Sequence, residues 1–109
     1  MSEEFLIENL LCSLITDNVS DIFLNAEQVP HLRSGGVVVE ADSAVISAEA
    51  INDFRKRVVN DKLEQLYLES GSVDCAVVLE GNQRCRLNFF DTEKGPAVAV
   101  RPIKDGNTI

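Results

Sequence analysis

Three arginines in an otherwise acidic sequence are the residues best suited to chemistry with an anion. Arg84 and Arg86 lie two positions apart, and Arg101 closes the next apolar segment. A guanidinium presents its N–H groups as a planar fork that matches the oxygens of a phosphate or carboxylate. The chain has 18 acidic and 10 basic residues, for a formal net charge of −8. Any anion must therefore be held locally, by a few suitably placed cations. The arginines therefore indicate a candidate anion site.

The arginines fall on two segments with the pattern of a β-hairpin. In residues 83–90 polar and apolar side chains alternate, which indicates a strand with one buried face. Residues 97–100 are small and apolar. If the loop is residues 92–95, Arg86 lies directly opposite Arg101 on one face, whereas a register one residue shorter separates them. Like charges directly opposite each other destabilise a strand pair by roughly 0.2–1 kcal/mol, and a bound anion would offset this destabilisation.

A simpler interpretation places the same arginines on a sheet face that meets solvent. In that case Arg84 and Arg86 pair with acidic neighbours on the surface, and no external anion is needed. The candidate neighbours are Asp74, Glu80 and Asp91. The two interpretations differ in the register of the hairpin and in the partners of the arginines, and the sequence pattern alone is compatible with both.

Length and composition restrict the class of protein. A chain of 109 residues with a hydrophobic share of 45% predicts one globular domain. The acidic balance argues against non-specific binding to nucleic acid or to anionic membranes. Three cysteines without C-x-x-C spacing indicate neither a disulfide framework nor a metal site, and favour a reducing cytoplasmic location. We expect no signal peptide and no transmembrane helix.

The sequence shows no catalytic constellation. The single histidine, His31, follows Pro30 and is expected to be structural. No glycine begins a run that ends in Gly-Lys-Ser or Gly-Lys-Thr, so we expect no phosphate-binding loop. Hydrolysis of a nucleotide by this chain alone is therefore not predicted, and we expect the domain to bind no cofactor by itself.

Helix and turn signals define the elements that must position the arginines. Ser2 is the expected cap of a first helix, and Ser47 of a second. The second helix breaks at Asn60-Asp61, and a third follows it and ends at Gly71, with Leu63, Leu66 and Tyr67 facing inward.

Strand signals occupy the remaining segments. Residues 20–25 predict a strand, and residues 29–41 a hairpin in which Pro30 marks an edge strand. Residues 73–79 predict a strand that turns through the pair Gly81-Asn82 into the arginine hairpin. The predicted order is α-β-β-β-α-α-β-β-β. It indicates an α+β fold with a mainly antiparallel sheet and helices packed on one face.

A set of motifs runs in order through the chain, at residues 20–24, Pro30, Arg33, Gly36, Asp74, 84–90, Gly95 and 100–103. This set resembles the N-terminal domain of the PilT-like family of twitching-motility, type IV pilus and type II secretion ATPases. That family's pattern runs S-D-[IL]-H-L, P-x-x-R-x-x-G, an acidic strand, R-F-R-V-N-x-F, G and V-x-R-x-I. In this chain Phe23 stands in place of the histidine, Cys75 and Cys85 replace common aromatic residues, and Pro102 follows the last arginine.

The resemblance implies a PAS-like domain at residues 1–103. Residues 104–109 then begin a linker to an absent RecA-like ATPase domain that binds ATP and Mg²⁺. It further implies a homohexamer in which this domain packs on the ATPase domain of a neighbouring subunit. Arg86 and Arg101 would contact nucleotide phosphates in trans, while Arg84, Asn88, Arg33 and Asp21 would support the strands or the interface.

The resemblance also implies a place in the cell and a set of larger partners. The full-length motor would act on the cytoplasmic side of the inner membrane, with pilus or secretion machinery as its partner. We expect the chain to be a piece of such a protein. The alternative is a free-standing PAS-like sensor or protein-interaction domain, which requires a cavity between sheet and helices. A small enzyme is the third and least supported class.

Overall fold

The computed structural model describes residues 6–104, which form three α-helices and six β-strands in the predicted order. The predicted cap at Ser2 and residues 105–109 of the expected linker lie outside the described residues. The elements are α1 (Ile7–Leu14), β1 (Val19–Asn25), β2 (His31–Ser34), β3 (Val37–Glu40), α2 (Ala48–Val58), α3 (Asp61–Ser70), β4 (Ser72–Leu79), β5 (Gln83–Thr92) and β6 (Gly95–Pro102).

All six strands join one antiparallel sheet in the order β3-β2-β1-β6-β5-β4. The central pair, β1 and β6, is distant in sequence, with Ile22 opposite Val100 and Leu24 opposite Val98. The first and last strands of the described chain therefore meet at the centre of the sheet. The predicted α+β fold class and antiparallel sheet are confirmed.

One face of the sheet carries the core. The alternation predicted for β5 is confirmed, because Cys85, Leu87 and Phe89 are buried while Arg84 and Arg86 are exposed. Phe89 packs against Phe54 of α2, with ring centroids 5.6 Å apart and an angle of 59° between the ring planes. Tilted aromatic pairs of this kind stabilise a core beyond the burial of the two rings. The helices cover this face through fully buried side chains such as Leu11, Ile51 and Phe54.

Side-chain caps begin both α2 and α3. As predicted, Ser47 caps α2: its Oγ accepts a hydrogen bond from the Ala50 N–H at 3.0 Å. Asn60, predicted only as part of the break between the helices, caps α3: its Oδ1 accepts a hydrogen bond from the Leu63 N–H at 2.8 Å. Each side chain satisfies a backbone donor that has no partner within its helix. Gly71 ends α3 in the left-handed conformation, with φ of 85°. Within residues 6–104 no helix has the length and apolar content to cross a bilayer.

Three local predictions were wrong. The edge strand is β3, because β2 is paired on both sides and Pro30 precedes it, outside the ladder. Leu66 is 49% exposed, since α3 turns Tyr67 and Leu63 toward the core instead. The β4–β5 turn has three residues, because Leu79 pairs with Gln83. Residues 81 and 82 of that turn both adopt positive φ.

A buried arginine joins α2 to α3. Arg55 is only 4% exposed, and its guanidinium donates to both carboxylate oxygens of Glu64 at 2.9 and 3.1 Å and to Asn52 Oδ1 at 2.6 Å. Its Cζ lies 4.2 Å from the centroid of the Tyr67 ring, a cation–π contact. Hydrogen bonds from Arg55 outweigh desolvation and lower the pKa of Glu64. The pair therefore links α2 to α3 through two charge-assisted hydrogen bonds.

The same network reaches the sheet through Tyr67. Its hydroxyl donates to Asp91 Oδ1 at 2.5 Å, near the end of β5. Burial, followed by this hydrogen bond to a carboxylate, raises the pKa of Tyr67 to about 12. The end of β5 is thereby attached to α3.

The C-terminal end of the described chain is also attached. Lys104 Nζ donates to the backbone carbonyls of Thr16 at 3.0 Å and Asp17 at 2.8 Å. These carbonyls follow α1, where a cation also interacts favourably with the negative end of the helix dipole.

We predict that Glu64→Gln lowers the free energy of unfolding by about 2 kcal/mol at pH 7, because it leaves a buried guanidinium without its counter-charge. Urea unfolding of the 109-residue chain measures this change. Glu69→Gln, on the same helix and exposed, is the matched control and should stay within about 0.5 kcal/mol of the parent.

The effect of Glu64→Gln should depend on pH. The folded-state pKa of Glu64 is lowered from 4.5, so the pair stabilises the fold above pH 4.5, and this contribution is lost as pH falls through the folded pKa. The parent and the variant should therefore converge in acid. A stability difference that is the same at neutral pH and at about pH 3 would show that the charge of Glu64 is not responsible.

Candidate functional site

The register of the β5–β6 hairpin places Arg86 directly opposite Arg101. Asp91 pairs with Pro96 and Thr92 with Gly95, as required by the loop predicted at residues 92–95. Thr92 Oγ1 donates to the Gly95 carbonyl at 2.9 Å and accepts from the Lys94 N–H at 3.1 Å. The predicted register is confirmed, and with it the juxtaposition of two like charges.

A row of charged side chains crosses the outer face of the sheet, the face opposite the core. Arg33 on β2 pairs with Asp21 on β1, and Asp21 lies beside Arg101 on β6. Arg86 on β5 completes the row. We call these four residues the arginine row. Sequence alternation places each on the outer face, but only the pairing of β1 with β6 brings Asp21 next to Arg101.

Asp21 is the anion of the arginine row. Its Oδ2 accepts from Arg33 Nε at 3.2 Å and from Ser20 Oγ at 2.8 Å, while its Oδ1 accepts from Arg101 Nε at 3.4 Å. The carboxylate side chain is 16% exposed. Burial alone would raise the pKa of Asp21, but the hydrogen bond from Ser20 and the two guanidinium groups outweigh it and lower the pKa. Asp21 is therefore ionised at neutral pH.

A depression of ≈ 310 Å³ lies between β1, β4, β5 and β6 on the outer face. Asn88 is fixed at its wall, because its amide Nδ2 donates to Asp74 Oδ1 at 2.8 Å. Arg101 is 74% exposed in its side chain, and Arg86 is exposed as well. Among residues 6–104, Arg86 makes no ion pair. The depression is lined by Asp21, Asp74, Arg86, Leu87, Asn88, Ala99, Val100 and Arg101.

Two exposed guanidinium groups on neighbouring strands can each present N–H donors to one multivalent anion. The two carboxylates at the rim oppose anions of low charge. An arrangement of this kind suits an anion with several charged oxygens, such as a phosphate, better than a monoanion. The site offers binding and charge compensation. Besides its two carboxylates and two arginines, the described lining has no Ser, Thr, Cys, His, Lys or Tyr side chain that could act as a nucleophile or as a second base.

The remaining predicted residues separate into two groups. Asp21, Arg33 and Asn88 lie with the arginine pair, whereas Arg84 lies outside the depression, opposite Val78. The surface pairs considered for Arg84 and Arg86 do not form among residues 6–104, since Asp74 binds Asn88 and Asp91 binds Tyr67. That phosphate binds Arg86 and Arg101 stays a prediction.

His31 and the acidic groups form no second site in the described part of the chain. His31 Nε2 lies 3.7 Å from Glu40 Oε2, on the strand next to the edge. No three His, Cys, Asp or Glu side chains within residues 6–104 are placed to hold a metal ion. The arginine row with its depression is therefore the strongest candidate site that the structure describes.

Known proteins are similar to this chain in sequence and in fold. A twitching motility protein of Neisseria gonorrhoeae is 31% identical over 74 residues, which are 68% of this chain and 20% of that protein. The structure of the pilus retraction motor PilT with bound ADP superposes with a TM-score of 0.81 at 25% identity, covering 94% of this chain and 30% of that one. The chain resembles the N-terminal domain of PilT-like secretion ATPases. The resemblance predicted from the sequence is confirmed.

A second solved structure extends the likeness at the level of fold. The ATPase DotB of Legionella pneumophila gives a TM-score of 0.74 at 15% identity, covering 94% of this chain and 30% of DotB. No family model matches the chain. The chain spans about one fifth of the length of the twitching motility protein it matches and 30% of each of the two solved structures.

We predict that Asp21→Asn lowers the free energy of unfolding by about 1 kcal/mol at neutral pH, because two guanidinium groups lose their shared charge. The folded-state pKa of Asp21 is lowered from 3.8, so the stabilisation is present above pH 3.8 and disappears as pH falls through the folded pKa. Chemical unfolding of the parent and of Asp21→Asn, from neutral pH to below pH 3.8, measures this difference in the free energy of unfolding.

Asp74→Asn is the matched control for Asp21→Asn. It removes the same charge from the same depression, but Asp74 is exposed and bonded to Asn88 instead of an arginine. We expect a change within about 0.5 kcal/mol. Equal effects of the two substitutions would contradict a specific role of Asp21 in the arginine row.

Proposed function

We propose that this chain is the non-catalytic N-terminal domain of a pilus-retraction or type II secretion ATPase. In that protein it packs on the ATPase domain of a neighbouring subunit and supplies Arg86 and Arg101 to the phosphates of the bound nucleotide. The observation that carries the proposal is the direct opposition of these two arginines on an outer sheet face. No ion pair within residues 6–104 compensates Arg86.

Electrostatics support an anionic partner for the arginine pair. Opposed like charges destabilise a sheet unless a counter-charge is present, and Asp21 reaches only one of the two guanidinium groups. A nucleoside triphosphate on a facing surface would offset the remaining charge. The similar structure of PilT holds ADP, which agrees with a nucleotide as the anion.

The assembly and cofactors are part of the same proposal. ATP and Mg²⁺ would be held by a RecA-like ATPase domain that follows residues 1–103 through a linker beginning at residue 104. Six subunits would form a ring, so that each arginine pair serves a neighbour's site. The motor would work on the cytoplasmic side of the inner membrane with the pilus or secretion machinery as its partner.

The second candidate, a free-standing PAS-like sensor, depends on a ligand cavity between sheet and helices. The core side of the sheet is filled by Leu79, Leu87, Phe89 and Val98, each at most 6% exposed. Phe54 packs directly on Phe89. This packing argues against a buried ligand and favours a role that uses the outer face.

We predict that Arg101→Ala, and separately Arg86→Ala, lowers the ATPase kcat of the full-length protein at least about tenfold. The reason is the loss of charge compensation at the transferring phosphate. Steady-state ATP hydrolysis measures kcat, and thermal melting of the 109-residue chain measures stability. The melting temperature should shift by less than about 2 °C, since both side chains are exposed.

Arg84→Ala is the matched control, because Arg84 lies two residues away on the same strand and outside the depression. It should leave kcat within about twofold of the parent. If Arg101→Ala melts several degrees lower while ATPase activity survives, Arg101 is structural and the proposal is wrong.

The expected ATPase domain has a test of its own. The coding sequence after codon 109 should continue through a short linker into a segment that contains Gly-Lys-Ser or Gly-Lys-Thr. A stop codon directly after Ile109 would contradict the proposed domain organisation.

A further inference from the structure

Arg101 faces two competing anions, the Asp21 carboxylate and the phosphate of the proposed function. We propose that Arg101 exchanges one for the other: it rests on Asp21 Oδ1 while the site is empty and transfers to phosphate when a nucleotide arrives. Asp21 is then the residue that sets the affinity of the outer face for anions. This inference rests on the proposed function and adds a specificity-determining residue to it.

The contact between Arg101 and Asp21 has the properties of an exchangeable bond. It uses Nε alone, at 3.4 Å, and the arginine side chain is 74% exposed. Exposed ion pairs are weak because water screens them and because the long side chain loses rotamer freedom. Within residues 6–104 the two terminal nitrogens of Arg101 make no hydrogen bond, so its end-on fork remains open to phosphate oxygens.

Asp21 does not become an unsatisfied carboxylate when Arg101 leaves. Its Oδ2 keeps the hydrogen bond from Ser20 Oγ at 2.8 Å and the ion pair with Arg33 Nε at 3.2 Å. A buried acceptor that lost every partner would oppose the exchange, but Asp21 loses only one of three. Arg33 therefore acts as the permanent partner and Arg101 as the temporary one.

Arg86 sets the position of the anion to which the Arg101 guanidinium transfers. It lies opposite Arg101 in the hairpin, is exposed, and makes no ion pair among the described residues. An anion bound to Arg86 is thus placed beside Arg101, and it must carry enough charge to compete with Asp21. This condition favours polyphosphates over singly charged anions such as chloride.

The test is a titration of the 109-residue chain with inorganic pyrophosphate, followed by nuclear magnetic resonance of the backbone amides and the arginine Nε–H groups. Asp21→Asn removes the competing charge and should lower the pyrophosphate Kd about fivefold. Asp74→Asn removes an equal charge from the same depression without freeing an arginine, and should lower the Kd less than about twofold.

A double substitution separates exchange from a simple field effect. In the Arg101→Ala background, Asp21→Asn should change the pyrophosphate Kd less than about twofold, because Arg101 is no longer there to be released. Arg33, the other arginine that Asp21 holds, lies on β2, outside the depression and two strands farther from Arg86 than Arg101 does. An equal gain in both backgrounds would show that Asp21 acts only through its charge, and would overturn the exchange. Absence of pyrophosphate binding by both the parent and Asp21→Asn would overturn it as well.

The outcomes also distinguish this inference from the proposed function. If Arg86→Ala and Arg101→Ala weaken pyrophosphate binding while Asp21→Asn leaves the parent Kd unchanged, the phosphate role stands and the exchange is wrong. If both arginine variants bind pyrophosphate as the parent does, the phosphate role and the exchange fail together.

Discussion

The register of the β5–β6 hairpin is the constraint on which both faces of this domain depend. Side chains alternate along a strand, so a slip of one residue would expose Leu87 and Phe89 and bury the arginines. The core face therefore enforces the register, and the juxtaposition of Arg86 and Arg101 follows from it at a small electrostatic cost. Hydrophobic burial in this way holds in place a charge arrangement that would not form on its own electrostatic merits.

The buried Arg55 is linked to that hairpin through side chains of α3. Glu64 and Tyr67 bind Arg55 from α3, and the hydroxyl of Tyr67 in turn holds Asp91 at the end of β5. A buried ion pair is weak evidence for net stability, because desolvation offsets much of the attraction. The contribution of this network is to hold α2, α3 and the end of β5 in a defined arrangement, because its hydrogen bonds are directional. The end of β5, the strand that carries Arg86, is thus bonded to the helices on the core side of the sheet.

Local patterns in the sequence predicted the parts of the fold that local physics decides. Alternation identified β5 and its buried face, Ser47 and Gly71 marked helix ends, and the loop at residues 92–95 gave the register of the arginine pair. The errors arose where tertiary context decides. Pro30 is compatible with an edge strand, but it lies before β2, and β3 takes the edge. Asp21 was assigned a supporting role through family resemblance, yet its bond to Arg101 depends on β1 pairing with β6, which no local pattern encodes.

The central position of β6 has a mechanical consequence. This strand carries Arg101, is hydrogen-bonded on both sides by β1 and β5, and leads directly to Lys104, which is tied to the carbonyls after α1. A pull on the chain beyond Lys104 would load the two ladders in shear, so that many hydrogen bonds resist together instead of opening one at a time. Because Arg101 lies on β6 and Arg86 on its hydrogen-bonded neighbour β5, the same ladder also holds the spacing of the arginine pair.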